Sequence, residues 1–198
     1  MLGTHHLSKK DMLETHISKG DSIIKVAINL ILACLTSGLI IGVIYFITAP
    51  IAAEKNEMLT QQAMKDLVKD ADDFKEVPNK TEWYAAEKAG QVIAYVVPTE
   101  SKGYGGAIKM LVAVSIDGKV IDYNILSSNE TPGLGENASK DSFRSQFNGK
   151  QLDDLSVVKD PSNEKNIQAM TGATITSKAV TGAVKDAVGN VVDFVGGK

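Results

Sequence analysis

An uncharged run of 28 residues, VAINLILACLTSGLIIGVIYFITAPIAA, fills positions 26–53 between Lys25 and Glu54. A helix needs about 20 apolar residues to cross the hydrocarbon core of a bilayer, and the apolar core of a signal peptide is about half as long as this run. No small-residue cleavage site precedes Pro50. The run therefore predicts an uncleaved transmembrane helix over residues 26–49 that ends at Pro50.

The lysines that flank this helix set its expected orientation. Four lysines precede it and three follow it within about 20 residues, a slight excess on the N-terminal side. Positively charged flanks favour the cytoplasm. We expect residues 1–25 to form a cytoplasmic tail and the larger C-terminal part to lie on the outer side of the cytoplasmic membrane, with lipid around residues 26–49.

Charge and cysteine content exclude several classes of function. The net charge of −3 provides no basic field for nucleic acid. The single cysteine, Cys34, and all three histidines lie within the first 34 residues. This distribution excludes a disulfide framework and a Cys/His metal cluster in the body of the protein. Redox chemistry would therefore depend on an organic cofactor or on a metal centre borrowed from a partner.

The rest of the chain combines helical and strand-like patterns. Apolar residues share one face of residues 54–73, so we expect a connecting helical segment within residues 50–90. An Asp117-Gly118 turn indicates a tight hairpin between two of the strand-like runs. Strands are predicted at 91–97, 107–116, 120–126 and near 155–159.

The last segment has the clearest helical pattern. Alanines and valines recur every three or four positions through residues 175–195, which predicts an amphipathic helix. The whole pattern predicts an α+β protein: one N-terminal transmembrane helix, followed by a domain at residues 91–198 with a mainly antiparallel sheet and packed helices.

Two glycine-rich segments are candidates for ligand contact. In GYGGAIKML, residues 103–111, three glycines beside Tyr104 allow bare backbone to approach a planar ligand or a phosphate. In NETPGLGEN, residues 129–137, a Pro132-Gly133 turn presents polar and apolar side chains. Each segment taken alone is also compatible with an ordinary turn or bulge.

A cluster of hydroxyls opens the last helix in MTGATITSKAV, residues 170–180. Free N–H groups and the positive end of the helix dipole favour a phosphate at such a position. The simpler alternative is that Thr176 or Ser177 caps the helix. Capping explains one or two of the four hydroxyls, and it does not require the small residues Gly172 and Ala173 before Thr174.

Taken together and in this order, the three segments resemble the FMN-binding domain family, and within it the G subunits of Rnf electron-transport complexes. The residues that carry the resemblance are GYGGAI at 103–108, ETPGLG at 130–135 and TGATITSKAV at 171–180. The resemblance extends from the membrane helix to the C-terminus. It implies that residues 91–198 form an FMN-binding domain.

The resemblance also implies a covalent cofactor. In this family the phosphate of FMN is joined to the last threonine of a Ser/Thr-Gly-Ala-Thr motif, which is Thr174 here. A dedicated flavin transferase forms the bond from FAD. One departure is visible, because an aspartate commonly stands three residues before the motif, where this chain has Gln168.

The resemblance places further residues around the flavin. Residues expected near the phosphate are Thr171, Gly172, Ala173, Thr176, Ser177 and Lys178. Residues expected to line or close the ring site are Glu130, Thr131, Leu134, Gly135 and Tyr104.

The function implied is electron transfer inside a membrane complex. The chain would relay electrons on FMN between neighbouring subunits of a complex that couples ferredoxin and NAD to ion transport. Its partners would be the other membrane and peripheral subunits. Three alternatives remain at this point: the C subunit of a sodium-translocating NADH:quinone reductase, a stand-alone membrane-anchored flavin reductase, and a non-redox binding module in which the TGAT run is only a cap.

Overall fold

The computed structural model describes the backbone of residues 9–160 and 162–197 and the side chains of residues 23–50, 55–160 and 162–197. Within this part the α-helices are α1 (Lys9–Leu67), α2 (Asp141–Arg144) and α3 (Thr174–Gly196). The strands are β1 (Asp73–Glu76), β2 (Tyr84–Lys88), β3 (Gln91–Lys102), β4 (Ala107–Ser115), β5 (Val120–Ser127), β6 (Val157–Val158) and β7 (Ile167–Gln168). Short 3-10 helices cover Gly135–Ser139, Ser145–Phe147 and Leu152–Asp154.

The chain divides into two compact units between Lys55 and Asn56. The first unit contains the apolar part of α1. Its large side chains are exposed, as shown by Leu39 and Phe46, which are 69% and 83% accessible. The most apolar stretch of the helix has a mean hydropathy of 2.5. Exposure of a contiguous apolar surface of this size to water is unfavourable, and the helix is long enough to cross a bilayer. This part of α1 is therefore a membrane anchor.

The end of this helix differs from the sequence prediction. Pro50 was expected to stop it, and this was wrong, since α1 runs through Pro50 to Leu67. A proline has no backbone N–H, so the helix loses one backbone hydrogen bond at this position and keeps the others. The residues that follow at 55–67, KNEMLTQQAMKDL, are mostly strong helix formers, and they continue the helix beyond that defect.

The second unit is built on a five-stranded sheet with the order β1-β2-β3-β4-β5. All four pairings are antiparallel, and β6 and β7 form a separate parallel pair. The predicted α+β class with a mainly antiparallel sheet is confirmed, as is the hairpin at Gly118, where φ is +77°. The sheet begins at Asp73, so two strands precede residue 91, where the sequence placed the start of the domain.

Helices cover both faces of this sheet. The C-terminal turns of α1 pack Met64 and Leu67 against small residues of the sheet, including Ala94 and Ala113, which are both fully buried. The opposite face packs against α3, whose alanine and valine stripe is buried as the sequence predicted. Because the rest of α3 is buried against the sheet, the start of this helix is held in a fixed position.

Tyr123 joins β5 to the segment that leads into α2. Its ring is fully buried and meets Phe147 edge to face with centroids 5.1 Å apart. Its hydroxyl donates a hydrogen bond of 2.5 Å to the carbonyl of Ala138. Burial raises the pKa of this phenol, so it remains a protonated donor.

Replacing Tyr123 with phenylalanine is expected to lower the free energy of unfolding by about 1–2 kcal/mol, because the buried Ala138 carbonyl loses its donor. The measurement is denaturant unfolding of the full chain in detergent micelles. Tyr104→Phe is the matched control, because the Tyr104 side chain is exposed and its substitution should leave stability unchanged. Equal unfolding curves for the two variants would contradict the expectation.

Candidate functional site

The three segments singled out in the sequence meet around one buried carboxylate, that of Glu130. Glu130 is 8% exposed. Its Oε1 accepts a hydrogen bond of 2.9 Å from the N–H of Gly105, in the loop between β3 and β4. Its Oε2 accepts one of 2.5 Å from the Thr176 hydroxyl, in the first turn of α3. The GYGG, ETPGLG and TGAT segments thus form one site.

Two glycines make room for this carboxylate. A Cβ on Gly103 would lie 2.3 Å from Glu130 Oε1, and a Cβ on Gly135 would lie 2.5 Å from Glu130 Oε2 and 2.8 Å from Thr176 Oγ1. Real Cβ atoms do not come this close to other heavy atoms. These positions require glycine because the carboxylate packs directly against their backbone.

The start of α3 differs from the expected cap. Its N-cap is Ala173, which offers no side-chain acceptor, so the prediction that Thr176 or Ser177 caps the helix is wrong. The helix begins at Thr174, which places both residues inside its first turns, beyond the capping position. Their hydroxyls have other partners. Thr176 donates to Glu130, and Ser177 Oγ accepts from the Met170 N–H at 3.0 Å.

The first turn of α3 is therefore open to an anion. The helical ladder begins with the N–H of Ser177 donating to the Ala173 carbonyl at 2.9 Å. Among the described residues, no side chain accepts from the N–H groups of residues 174–176. Uncapped N–H groups at the positive end of a helix of 23 residues fit a phosphate.

Thr174 is the hydroxyl best placed to carry such a phosphate. It is half-buried, and no hydrogen bond within the described part of the chain occupies its hydroxyl. Thr176 and Ser177 are 1% and 0% exposed, and both hydroxyls are engaged. Thr171 is exposed but lies in the turn before the helix. Thr174 alone combines a free hydroxyl with the first position of α3.

Each of the three segments that meet at Glu130 carries an exposed apolar side chain. Tyr104, Leu134 and Ile175 are 73%, 43% and 55% exposed. The Leu134 Cδ2 is 3.1 Å from the place a Cβ on Gly172 would take, so this side chain lies against the TGAT turn. The sequence did not single out Ile175, although an apolar residue inside a hydroxyl-rich run was the available signal.

The remaining residues that the sequence predicted lie at the edge of the site or shape the turns that form it. Thr131 is exposed, and its carbonyl accepts from the N–H groups of Leu134 and Glu136 at 3.1 and 3.3 Å. Lys178 is exposed on the second turn of α3, while Ala173 is buried at its N-cap. Thr131 thus shapes the turn that presents Leu134, and Lys178 adds a positive charge near the helix start.

Gln168, in place of the expected aspartate, has a defined structural role. Its side-chain Nε2 donates to the carbonyls of Asp160 and Asn163 at 2.7 and 2.6 Å. Its backbone N–H donates to Gln146 Oε1 at 2.7 Å. An aspartate carries no side-chain donor and could not make the first two bonds. Gln168 therefore anchors the loop that precedes β7.

The fold and this site define an FMN-binding domain. Residues 103–189, from the GYGG loop into α3, match the FMN-binding domain family. More specifically, the chain belongs to the family of G subunits of ion-translocating ferredoxin:NAD⁺ oxidoreductase complexes. The resemblance seen in the three sequence motifs is thereby confirmed.

Two relatives establish this membership. The chain is 61% identical over 178 residues to the G subunit of the proton-translocating ferredoxin:NAD(+) oxidoreductase complex of Clostridium ljungdahlii, covering 90% of this chain and 96% of the relative. It is 37% identical over 160 residues to the G subunit of the Na(+)-translocating ferredoxin:NAD(+) oxidoreductase complex of Acetobacterium woodii, covering 70% of this chain and 77% of the relative.

A solved structure supports the fold. The crystal structure of Shewanella oneidensis NqrC aligns with a TM-score of 0.50 at 20% identity and covers 66% of this chain and 73% of that one. This likeness concerns the fold alone. Family membership follows from the relatives at 61% and 37% identity, which are both G subunits, and it favours that assignment over the C subunit of a sodium-translocating NADH:quinone reductase.

Proposed function

We propose that this chain is the membrane-anchored electron-transfer subunit of an Rnf-type ion-translocating ferredoxin:NAD oxidoreductase complex, with FMN bound covalently through Thr174. The observation that carries the proposal is the free Thr174 hydroxyl at the uncapped start of α3, inside a domain that matches the FMN-binding family. The relatives that are G subunits of such complexes support the assignment to the complex.

Attachment requires a balanced transfer from FAD. Thr174 Oγ1 would bond to the phosphorus of the FMN half, the phosphoanhydride bond of FAD would break, and AMP would leave while the hydroxyl proton is released. A flavin transferase supplies this step, so the chain itself only presents the hydroxyl. The added mass is that of FMN less one water.

The residues of this chain then hold the cofactor. The open N–H groups of the first turn stabilise the phosphate charge, and the exposed Lys178 lies one turn further along the helix. Tyr104, Leu134 and Ile175 provide an exposed apolar surface for the ring. When bound, FMN supplies one-electron redox chemistry, and a phosphoester leaves its ring unsubstituted.

The membrane arrangement is part of the same proposal. The N-terminus lies in the cytoplasm, and the FMN-binding domain lies on the outer side of the membrane. The apolar part of α1 has no charged residue between Lys25 and Glu54, so the ion pathway is formed by other subunits. Protease treatment of right-side-out vesicles should digest the C-terminal domain, while digestion only in inverted vesicles would reverse the orientation.

The decisive experiment is the intact mass of the full chain purified from a host that expresses the flavin transferase. We expect the sequence mass plus FMN less one water, and a fluorescent band after denaturing electrophoresis. Flavin that is lost on denaturation would contradict the covalent bond while retaining FMN binding. A colourless, unmodified chain inside a complex with full turnover would contradict the flavin function.

A further inference from the structure

We propose that Glu130 is the positioning residue of the flavin site, acting through Thr176 and Gly105 instead of lining the ring. This inference rests on the proposed function. The sequence had placed Glu130 at the ring, but both of its carboxylate oxygens face other parts of the protein. Its role would be to fix the attachment point in α3 relative to the β3–β4 loop.

The geometry of the two hydrogen bonds supports this role. The Gly105 N–H, which donates to Oε1 at 2.9 Å, comes from a residue 25 positions away in the chain. The Thr176 hydroxyl, which donates to Oε2 at 2.5 Å, comes from a residue 46 positions away. One side chain thus joins two distant segments, and no other described residue hydrogen-bonds to both Gly105 and Thr176.

The two segments are the ones that carry the exposed groups of the site. Thr176 follows Thr174 by two residues in the same helical turn, and Gly105 is adjacent to Tyr104. The carboxylate therefore sets the separation between the proposed attachment point and the aromatic side chain of the site. The backbones of Gly103 and Gly135 lie close against this carboxylate, since a Cβ on either residue would meet one of its oxygens.

The chemistry of a carboxylate suits this position. An ionised carboxylate only accepts hydrogen bonds, and here it has two donors to satisfy. Glutamine has the same shape but one acceptor, so it keeps the Gly105 bond, and the Thr176 hydroxyl can turn to accept from the amide. Leucine removes both acceptors and leaves the part-buried N–H of Gly105 and the buried hydroxyl of Thr176 without partners. We therefore expect Glu130→Leu to disturb the contact between the two segments more than Glu130→Gln does.

Hydrogen exchange of the full-length protein in detergent tests the link itself. Glu130→Leu should raise exchange roughly tenfold in peptides that contain Gly105 and in those that contain the first turn of α3. Glu130→Gln should restore most of the protection. Glu100→Leu is the matched control, since Glu100 is an exposed acid of β3 whose only ion pair is a 3.8 Å contact with Lys109 among the described residues.

The flavin-loaded protein tests the positioning role. Glu130→Leu should shift the flavin midpoint potential and lower its fluorescence anisotropy relative to wild type, while Glu130→Gln stays close to wild type. Thr176→Val removes only one of the two donors and should change both readouts in the same direction. Because both substitutions remove the same hydrogen bond, the effect of the Glu130→Leu/Thr176→Val double variant should be smaller than the sum of the two single effects.

Each outcome is decisive. Wild-type exchange, potential and anisotropy in Glu130→Leu would overturn the positioning role. If Glu130→Leu does not fold, the test depends on Thr176→Val. A flavin midpoint potential and an anisotropy equal to those of wild type in Thr176→Val would then overturn the proposal. If the wild-type chain carries no flavin, the proposed function fails, and the flavin role of Glu130 fails with it, whatever the exchange pattern shows.

Discussion

Thr174→Ala is expected to abolish covalent flavin attachment completely. The substitution removes the only hydroxyl that lies uncommitted at the start of α3 in the described structure. Alanine favours a helix more than threonine does, so the fold of α3 should be retained. Intact mass should fall to that of the bare sequence, and the fluorescent band should disappear from a denaturing gel.

The neighbouring hydroxyls should not replace it. The Thr176 hydroxyl is buried against Glu130, and the Ser177 hydroxyl is buried between Met170 and Ala173. Reaching either one would require the first turn of α3 to unwind. Modification found at residue 176 or 177 in Thr174→Ala would therefore contradict the site geometry.

Two matched variants complete this test. Thr174→Ser keeps a hydroxyl at the same backbone position and should retain the flavin. Thr171→Ala removes an exposed hydroxyl from the turn before the helix and should also retain it. Loss of attachment in Thr171→Ala with retention in Thr174→Ala would move the attachment point to Thr171.

The strands that the sequence predicted share a strong physical signal. Residues 91–97, 107–116 and 120–126 are rich in β-branched residues, and they form the interior strands β3 and β4 and the partly buried edge strand β5. The short strand β7 was missed, and the two strands missed in the five-stranded sheet are β1, DFKE, and β2, YAAEK. Their composition has little β-propensity, so these two strands are ordered by pairing, β2 with β3 and β1 with β2 at the sheet edge, and not by their own pattern.

The three motifs were located from sequence, but the contact that joins them was not. Glycine content marked the loops as places of close approach, and the structure shows that Glu130 approaches Gly103 and Gly135. A hydrogen bond between residues 46 positions apart leaves no periodic trace in the chain. The role of Thr176 was missed for the same reason, because a hydroxyl near a helix start reads as a cap until its partner is known.

Gly105→Ala is the second substitution with a large expected effect. A Cβ at this position would lie 1.9 Å from the carbonyl oxygen of Asn129 and 2.7 Å from its carbonyl carbon. Both atoms belong to the backbone, so no side-chain rotation relieves the clash, and the β3–β4 loop must move away from Glu130. Overpacking of this kind should lower the free energy of unfolding by about 3 kcal/mol.

The loop movement should also be visible at the site, because it breaks the 2.9 Å hydrogen bond from the Gly105 N–H to Glu130 Oε1. We expect faster amide exchange in the β3–β4 loop and lower flavin anisotropy than in wild type. Gly182→Ala is the control, since it lies within α3 with nothing inside 4 Å of its added Cβ and should stabilise the helix by about 1 kcal/mol. If Gly105→Ala unfolds like wild type and keeps slow exchange in the loop, the close approach of the two loops does not exist in solution. The site would then be assembled without the contact that places Glu130 between them.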